Sequence, residues 1–152
     1  MSPGKISQRV ISERLKWIDQ MIREIQSLPL SNYSSFTGDK RNIWSAESCL
    51  RRAIEALMDL GRHILAKGFG YGVSEYKEIG SLLDELGVLN KKASEGFKTL
   101  AGYRNRMVHF YHEISDKELY EICSHQLIDI SFVSDTMKGW INKHPDMVDD
   151  EL

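Results

Sequence analysis

The sequence predicts an all-α protein, an up-and-down bundle of four to five helices, and three observations lead there. Five segments carry apolar residues at spacings of three and four, the period of one helix face. Only three prolines, at positions 3, 29 and 145, interrupt 152 residues. No convincing strand is found between them. The length is enough for one compact domain with its own core.

The first helix is predicted over residues 6–28. Ile11, Leu15, Ile18, Ile22 and Ile25 form its stripe, and Pro29 stops it. Residues 31–40, rich in Ser, Asn, Gly and Asp, read as a loop. The second helix, about 42–66, buries Ala46, Leu50, Ala53, Leu57, Leu60 and Ile64. Glu47, Arg51 and Glu55 follow one another at i,i+4 as a solvated ladder, with His63 nearby as a surface or capping residue. Three alternate glycines in Lys67–Gly72 follow a helix rather than a strand, so they mark a turn and not a phosphate loop. Ser74 is a plausible cap for a third helix, about 74–86, which Gly87 ends. A fourth helix covers about 91–110. A fifth, about 117–142 and capped by Ser115 or Asp116, carries Leu119, Cys123, Leu127, Ile130, Val133, Met137 and Trp140. Residues 1–143 thus make the bundle, and 144–152 are expected to be an acidic, disordered tail.

Composition narrows the function. At 41% hydrophobic and 28% charged residues, the chain is an ordinary globular one. No apolar run reaches the roughly 18–20 residues of a membrane span, and no signal-peptide core is present. A cytoplasmic location with reduced thiols is expected. Cys49 and Cys123 fit no metal-ligand spacing, and neither a metal nor a cofactor is expected. The net charge of −2 does not announce a nucleic-acid binder, although a local patch would suffice.

Such a patch exists. Lys91, Lys92, Lys98, Arg104 and Arg106 face only Glu95 in the fourth helix, which runs into His109 and Tyr111. Arginine is a permanent cation that matches phosphate, and histidine moves protons near neutral pH. Together they are the minimum for metal-independent RNA cleavage to a 2′,3′-cyclic phosphate and a 5′-hydroxyl. Five residues of helix turn about 500°, so Arg104 and His109 point roughly 140° apart. Either the helix distorts near His109, or two chains share the site; a symmetric dimer would bring two copies into one cleft. On spacing alone the same residues also fit a bland account, with Arg104 in a surface ion pair and His109 satisfying a helix C-terminus.

Arg104-Asn105-Arg106-Met107-Val108-His109-Phe110-Tyr111 resembles the Arg-x4-His-x-Tyr signature of HepT-type HEPN proteins. The likeness extends to Arg51–Ala56, Leu60–Ile64, Tyr76–Ile79, Leu86–Leu89, Leu100–Tyr103 and Leu119-Tyr120, and covers roughly residues 5–140. It implies a HEPN-like helical bundle and a homodimeric ribonuclease toxin acting on RNA. It also implies Arg104 and His109 as the catalytic pair and Asn105 as a polar helper. The implied partner is an MntA-type nucleotidyltransferase antitoxin that transfers AMP to Tyr111, adding bulk and negative charge beside the cleft. His112 reads as an exposed loop residue. The alternative is a non-catalytic HEPN module that partners a nucleotidyltransferase or binds nucleotide or RNA; a purely structural bundle is the third reading.

Overall fold

The computed structural model describes residues 5–109 and 114–151. Among these, seven α-helices form the bundle: α1 (Gln8–Gln26), α2 (Tyr33–Thr37), α3 (Lys40–His63), α4 (Tyr76–Glu85), α5 (Lys91–His109), α6 (Asp116–His125) and α7 (Leu127–Lys143). Two-residue strands, β1 (Ile6–Ser7) and β2 (Val148–Asp149), flank them.

Helix α3 lies at the centre and packs against all six others. Its buried residues Leu50, Ala53, Ile54, Leu57, Met58 and Leu60 occur too closely for a single stripe, which is what a helix covered on several sides requires. Helix α1 presents the expected stripe, with Ile11, Ile18, Ile22 and Ile25 buried and Leu15 partly so. The Ser7 hydroxyl caps it by accepting the Val10 N–H at 3.2 Å. Phe97 of α5 is wholly buried. A Cβ at Gly80 of α4 would stand 2.9 Å from its ring, so only glycine lets α4 approach α5 this closely. The buried Ser94 hydroxyl donates to the Gly80 carbonyl at 2.9 Å and fixes the same contact. Gly87, at φ 79°, turns the chain out of α4 as expected.

Several expectations need correction. The loop at 31–40 contains α2, capped by Asn32 and anchored by the fully buried Phe36; one turn is too short to show a period. Helix α4 begins at Tyr76 with Glu75, not Ser74, at the cap position and no side-chain cap; the Ser74 backbone carbonyl accepts from Arg62. The second helix does not run unchanged to residue 66: it widens into a π turn at Ile64–Gly68. The final helix is two helices, α6 and α7. Gln126 leaves helical geometry between them (φ −117°, ψ 5°), and its side chain accepts the Tyr103 hydroxyl at 2.6 Å.

The tail is not wholly disordered either. Pro145–Met147 form a 3-10 turn, and β2 then pairs in parallel with β1, Ile6 opposite Val148 and Ser7 opposite Asp149. Ile6 is fully buried, so apolar packing at the base of the bundle supports the pairing. His63 is neither an exposed nor a capping residue: its Nε2 accepts the Ser7 N–H at 2.9 Å and ties α3 to β1.

Candidate active site

Helix α5 starts with the Asn90 side chain accepting the Ala93 N–H at 2.7 Å, and it stays helical to His109. Its inward stripe runs Ala93, Phe97, Leu100 and Ala101. Arg104 is seven residues beyond Phe97, two turns along the same face, so the stripe carries its guanidinium into the gap between α3 and α4. The side chain is only 19% exposed. Its Nη2 lies 3.4 Å from Glu55 Oε2, and its guanidinium sits 5.0 Å from the centre of the Tyr76 ring.

This neighbourhood is strongly charged. Glu55 also accepts from Arg51 at 2.8 Å. Arg62 approaches the Tyr76 ring at 5.2 Å and donates to the carbonyls of Val73 and Ser74, which pins the segment before α4. Burial pushes the Asp59 carboxyl above its usual range; Arg62, Arg14 and Arg104 oppose that shift, and Glu55 adds to it. Two carboxylates thus stand among four guanidinium groups, which leaves the local balance positive. The Arg104 Nε is buried and has no hydrogen-bond partner among the described residues. A cation held on an aromatic face with part of its side chain still exposed is suited to an anionic group such as phosphate.

Asn105 is half-buried, and its side-chain oxygen lies 3.4 Å from Arg104 Nη1, a long contact. His109, the last residue of α5, is exposed, and no hydrogen bond engages its ring among the described residues. The structure therefore brings Asn105 to Arg104 but does not bring His109 to either. Helix α5 stays regular through His109, so within the described residues the pair is not converged by a bend. Arg106, the other arginine of the motif, turns away to Glu118, at 2.6 and 2.9 Å, and its hydrogen bonds hold the Glu118 carboxyl below the usual range. Tyr111 and His112 lie outside the described residues.

Sequence reading missed two supports of this site. Glu55 was read as part of a solvated ladder, yet it meets Arg104. Tyr76 enters the sequence reading through the family likeness and with no role at the site, yet two guanidinium groups lie over its ring. The only available signal was a charged line along α3, with Arg51, Glu55, Asp59 and Arg62 at spacings of four, four and three, in a helix otherwise buried on most sides.

Among the described residues no helix is long and apolar enough to cross a membrane, and no group of His, Cys, Asp and Glu could hold a metal ion. Comparison with known proteins places the fold. The tri-AMPylated HEPN toxin of Shewanella oneidensis, solved in complex with an MNT antitoxin, superposes with a TM-score of 0.76 at 25% identity, covering 86% of this chain and 97% of that one. A cytosolic Bacillus subtilis protein of unknown function, YutE, shares the fold with a TM-score of 0.76 at 16% identity, over 92% of this chain and 94% of that one. A protein of Archaeoglobus fulgidus provisionally named an RNase is 37% identical over 70 residues, 46% of this chain; the match spans about half (52%) of that curated relative. The family described as Ribonuclease HepT-like matches residues 18–137, well over half of the sequence. The chain belongs to the HepT-like ribonuclease family.

Proposed function

We propose that this protein is the toxin of a toxin–antitoxin pair, a cytoplasmic, metal-independent endoribonuclease that works as a homodimer through Arg104 and His109. The observation that carries the reading is the division of the motif. Arg104 is fixed inside the bundle by Glu55 and Tyr76, whereas His109 stands exposed at the end of a regular helix. A two-fold axis beside this helix end would bring two imidazoles to one cleft flanked by fixed cations. One imidazole takes the proton of the ribose 2′-hydroxyl. The 2′-oxygen forms a bond to phosphorus as the bond from phosphorus to the 5′-oxygen breaks. The second imidazole returns a proton to that 5′-oxygen, while Arg104 meets the charge on the phosphoryl oxygens and Asn105 supports it. The products are a 2′,3′-cyclic phosphate and a 5′-hydroxyl.

The partner follows from the Shewanella complex, whose toxin is AMPylated and bound to its MNT antitoxin. In this chain the acceptor would be Tyr111, and a nucleotidyltransferase of the MntA type would supply the AMP. A nucleotide on that hydroxyl adds bulk and negative charge two residues beyond His109, opposing RNA and offsetting the arginine field.

Wild-type protein incubated with cellular RNA in EDTA is expected to leave cyclic-phosphate ends, and His109→Ala to leave none. Activity that disappears with chelator and returns with a divalent ion would refute metal independence. Absence of cleavage by wild-type protein confirmed unmodified at Tyr111 would make the chain a binding module instead. Tyr111→Phe is expected to cut RNA and to resist silencing by the partner. Equal AMP incorporation into that variant, read by mass spectrometry, would place the modification elsewhere.

A further inference from the structure

A surface cavity of about 590 Å³ lies at the end of α5, and the cleavage chemistry does not use it. Helix α3 lends it Lys40, Trp44 and Glu47, α5 lends Arg106 and Met107, and Ile114 closes another side. The volume is within the span of about 300–1,000 Å³ typical of small-ligand sites. Met107 is two residues before His109, about 3 Å along the helix axis and about 200° around it, and three residues after Arg104, about 60° from that residue's direction.

Trp44 is 64% exposed, more than either other tryptophan, although it lines a cavity that also has apolar walls. Glu47 is half-buried one turn further along the same face of α3. The neighbouring Arg51 pairs with Glu55, and no salt bridge among the described residues engages Glu47. Lys40 is exposed at the start of the helix, and Arg106 is committed to Glu118. The combination is an open indole face, the Glu47 carboxylate beside it, an exposed ammonium and, from α6, the exposed Asp116 carboxylate. Mixed signs do not suit a bare phosphate. They suit a flat aromatic ligand with a polar edge and a phosphate attached.

We propose that this cavity is a base-binding subsite for one nucleotide of the RNA chain next to the bond that is cut, an inference that rests on the ribonuclease reading above. The base stacks on Trp44, because every base has a face that an aromatic side chain can cover. Glu47 accepts hydrogen bonds from the base edge. An ionised carboxylate only accepts, so it is matched best by an exocyclic amino group; uracil offers it a single N3–H flanked by two carbonyl oxygens that repel it, and is disfavoured. Lys40 meets the adjoining phosphate. The subsite would give base preference to a cleft whose arginines read only the backbone.

The test uses His109→Ala protein and 2′-O-methyl RNA trimers, which cannot be cut by attack of the 2′-oxygen. Amino-bearing trimers are expected to quench tryptophan emission. Adding Trp44→Ala should abolish the quench and weaken binding at least about fivefold, the lower end for one lost base–aromatic stack. Trp44→Phe should retain most of the affinity, and Glu47→Gln should lose the discrimination against oligouridylate. Equal binding with and without Trp44 would overturn the subsite. So would Trp44→Ala protein that binds RNA normally but sediments as a smaller species, which would make the cavity a protein interface. Cleavage by otherwise wild-type chains is followed in parallel. If Trp44→Ala cuts at an unchanged rate and base preference, the subsite alone falls. If wild type does not cut, the ribonuclease reading falls, and the trimer titration still decides the subsite.

Discussion

Arg104 owes its position to two side chains that no local spacing connects to it. Glu55 is 49 residues earlier in the sequence and Tyr76 lies on a third helix. Ring and guanidinium attract through the quadrupole of the aromatic face, which phenylalanine shares and leucine lacks. Tyr76→Phe is therefore expected to keep RNA cleavage near wild type, and Tyr76→Leu to lower kcat/KM roughly tenfold, the effect of about 1.4 kcal/mol within the range for desolvated cation–π pairs. Steady-state kinetics on one RNA checks this; equal rates for both variants would mean that Glu55 alone holds the arginine. The motif itself was legible because adjacent residues carry it. Its supports were not, since an i,i+4 run of Glu and Arg looks the same whether it faces water or a buried guanidinium.

At the scale of elements, the helix faces could be read and their interruptions could not. The break at Gln126 is hidden because Cys123, Leu127 and Ile130 continue the apolar period across it. The π turn after α3 is hidden for a similar reason, since Leu60 and Ile64 keep the same spacing up to it. That turn ends the helix whose His63 holds β1. Burial is the larger cause that pushes the His63 imidazole below its ordinary value, with Lys67 and Arg14 adding to it. Its hydrogen bond also needs the neutral ring, because Nε2 accepts the Ser7 N–H. A lowered pKa means that the unfolded chain binds the proton more readily. The stabilisation is then complete above the ordinary imidazole value of about 6.5 and is lost as pH falls through the lower folded value. Thermal melts from pH 8 to 5 are expected to show Tm falling below about 6.5, and His63→Gln should reduce that slope. An unchanged slope would assign the pH dependence to other groups.

The whole molecule holds Arg104 inside the bundle and His109 exposed at the end of α5, and under the proposed function that division predicts how two copies combine. Arg104→Ala and His109→Ala chains are each expected to be inactive alone. Because the proposed step uses one imidazole from each chain, mixing them after unfolding and refolding together is expected to leave the mixed dimers, which hold a single His109, inactive. Recovered activity, with mixed dimers verified by native mass spectrometry, would show instead that one histidine and one arginine from different chains suffice. At the opposite extreme of contact size is the ladder between β1 and β2, two residues long and joining segments nearly a full chain length apart. The packed bundle, not the ladder, brings these segments together, and two paired residues add little to it. The ladder is therefore expected to open in thermal fluctuation before the bundle itself unfolds. Hydrogen exchange would record that as early loss of protection at the paired strand amides while the core amides of α3 remain closed.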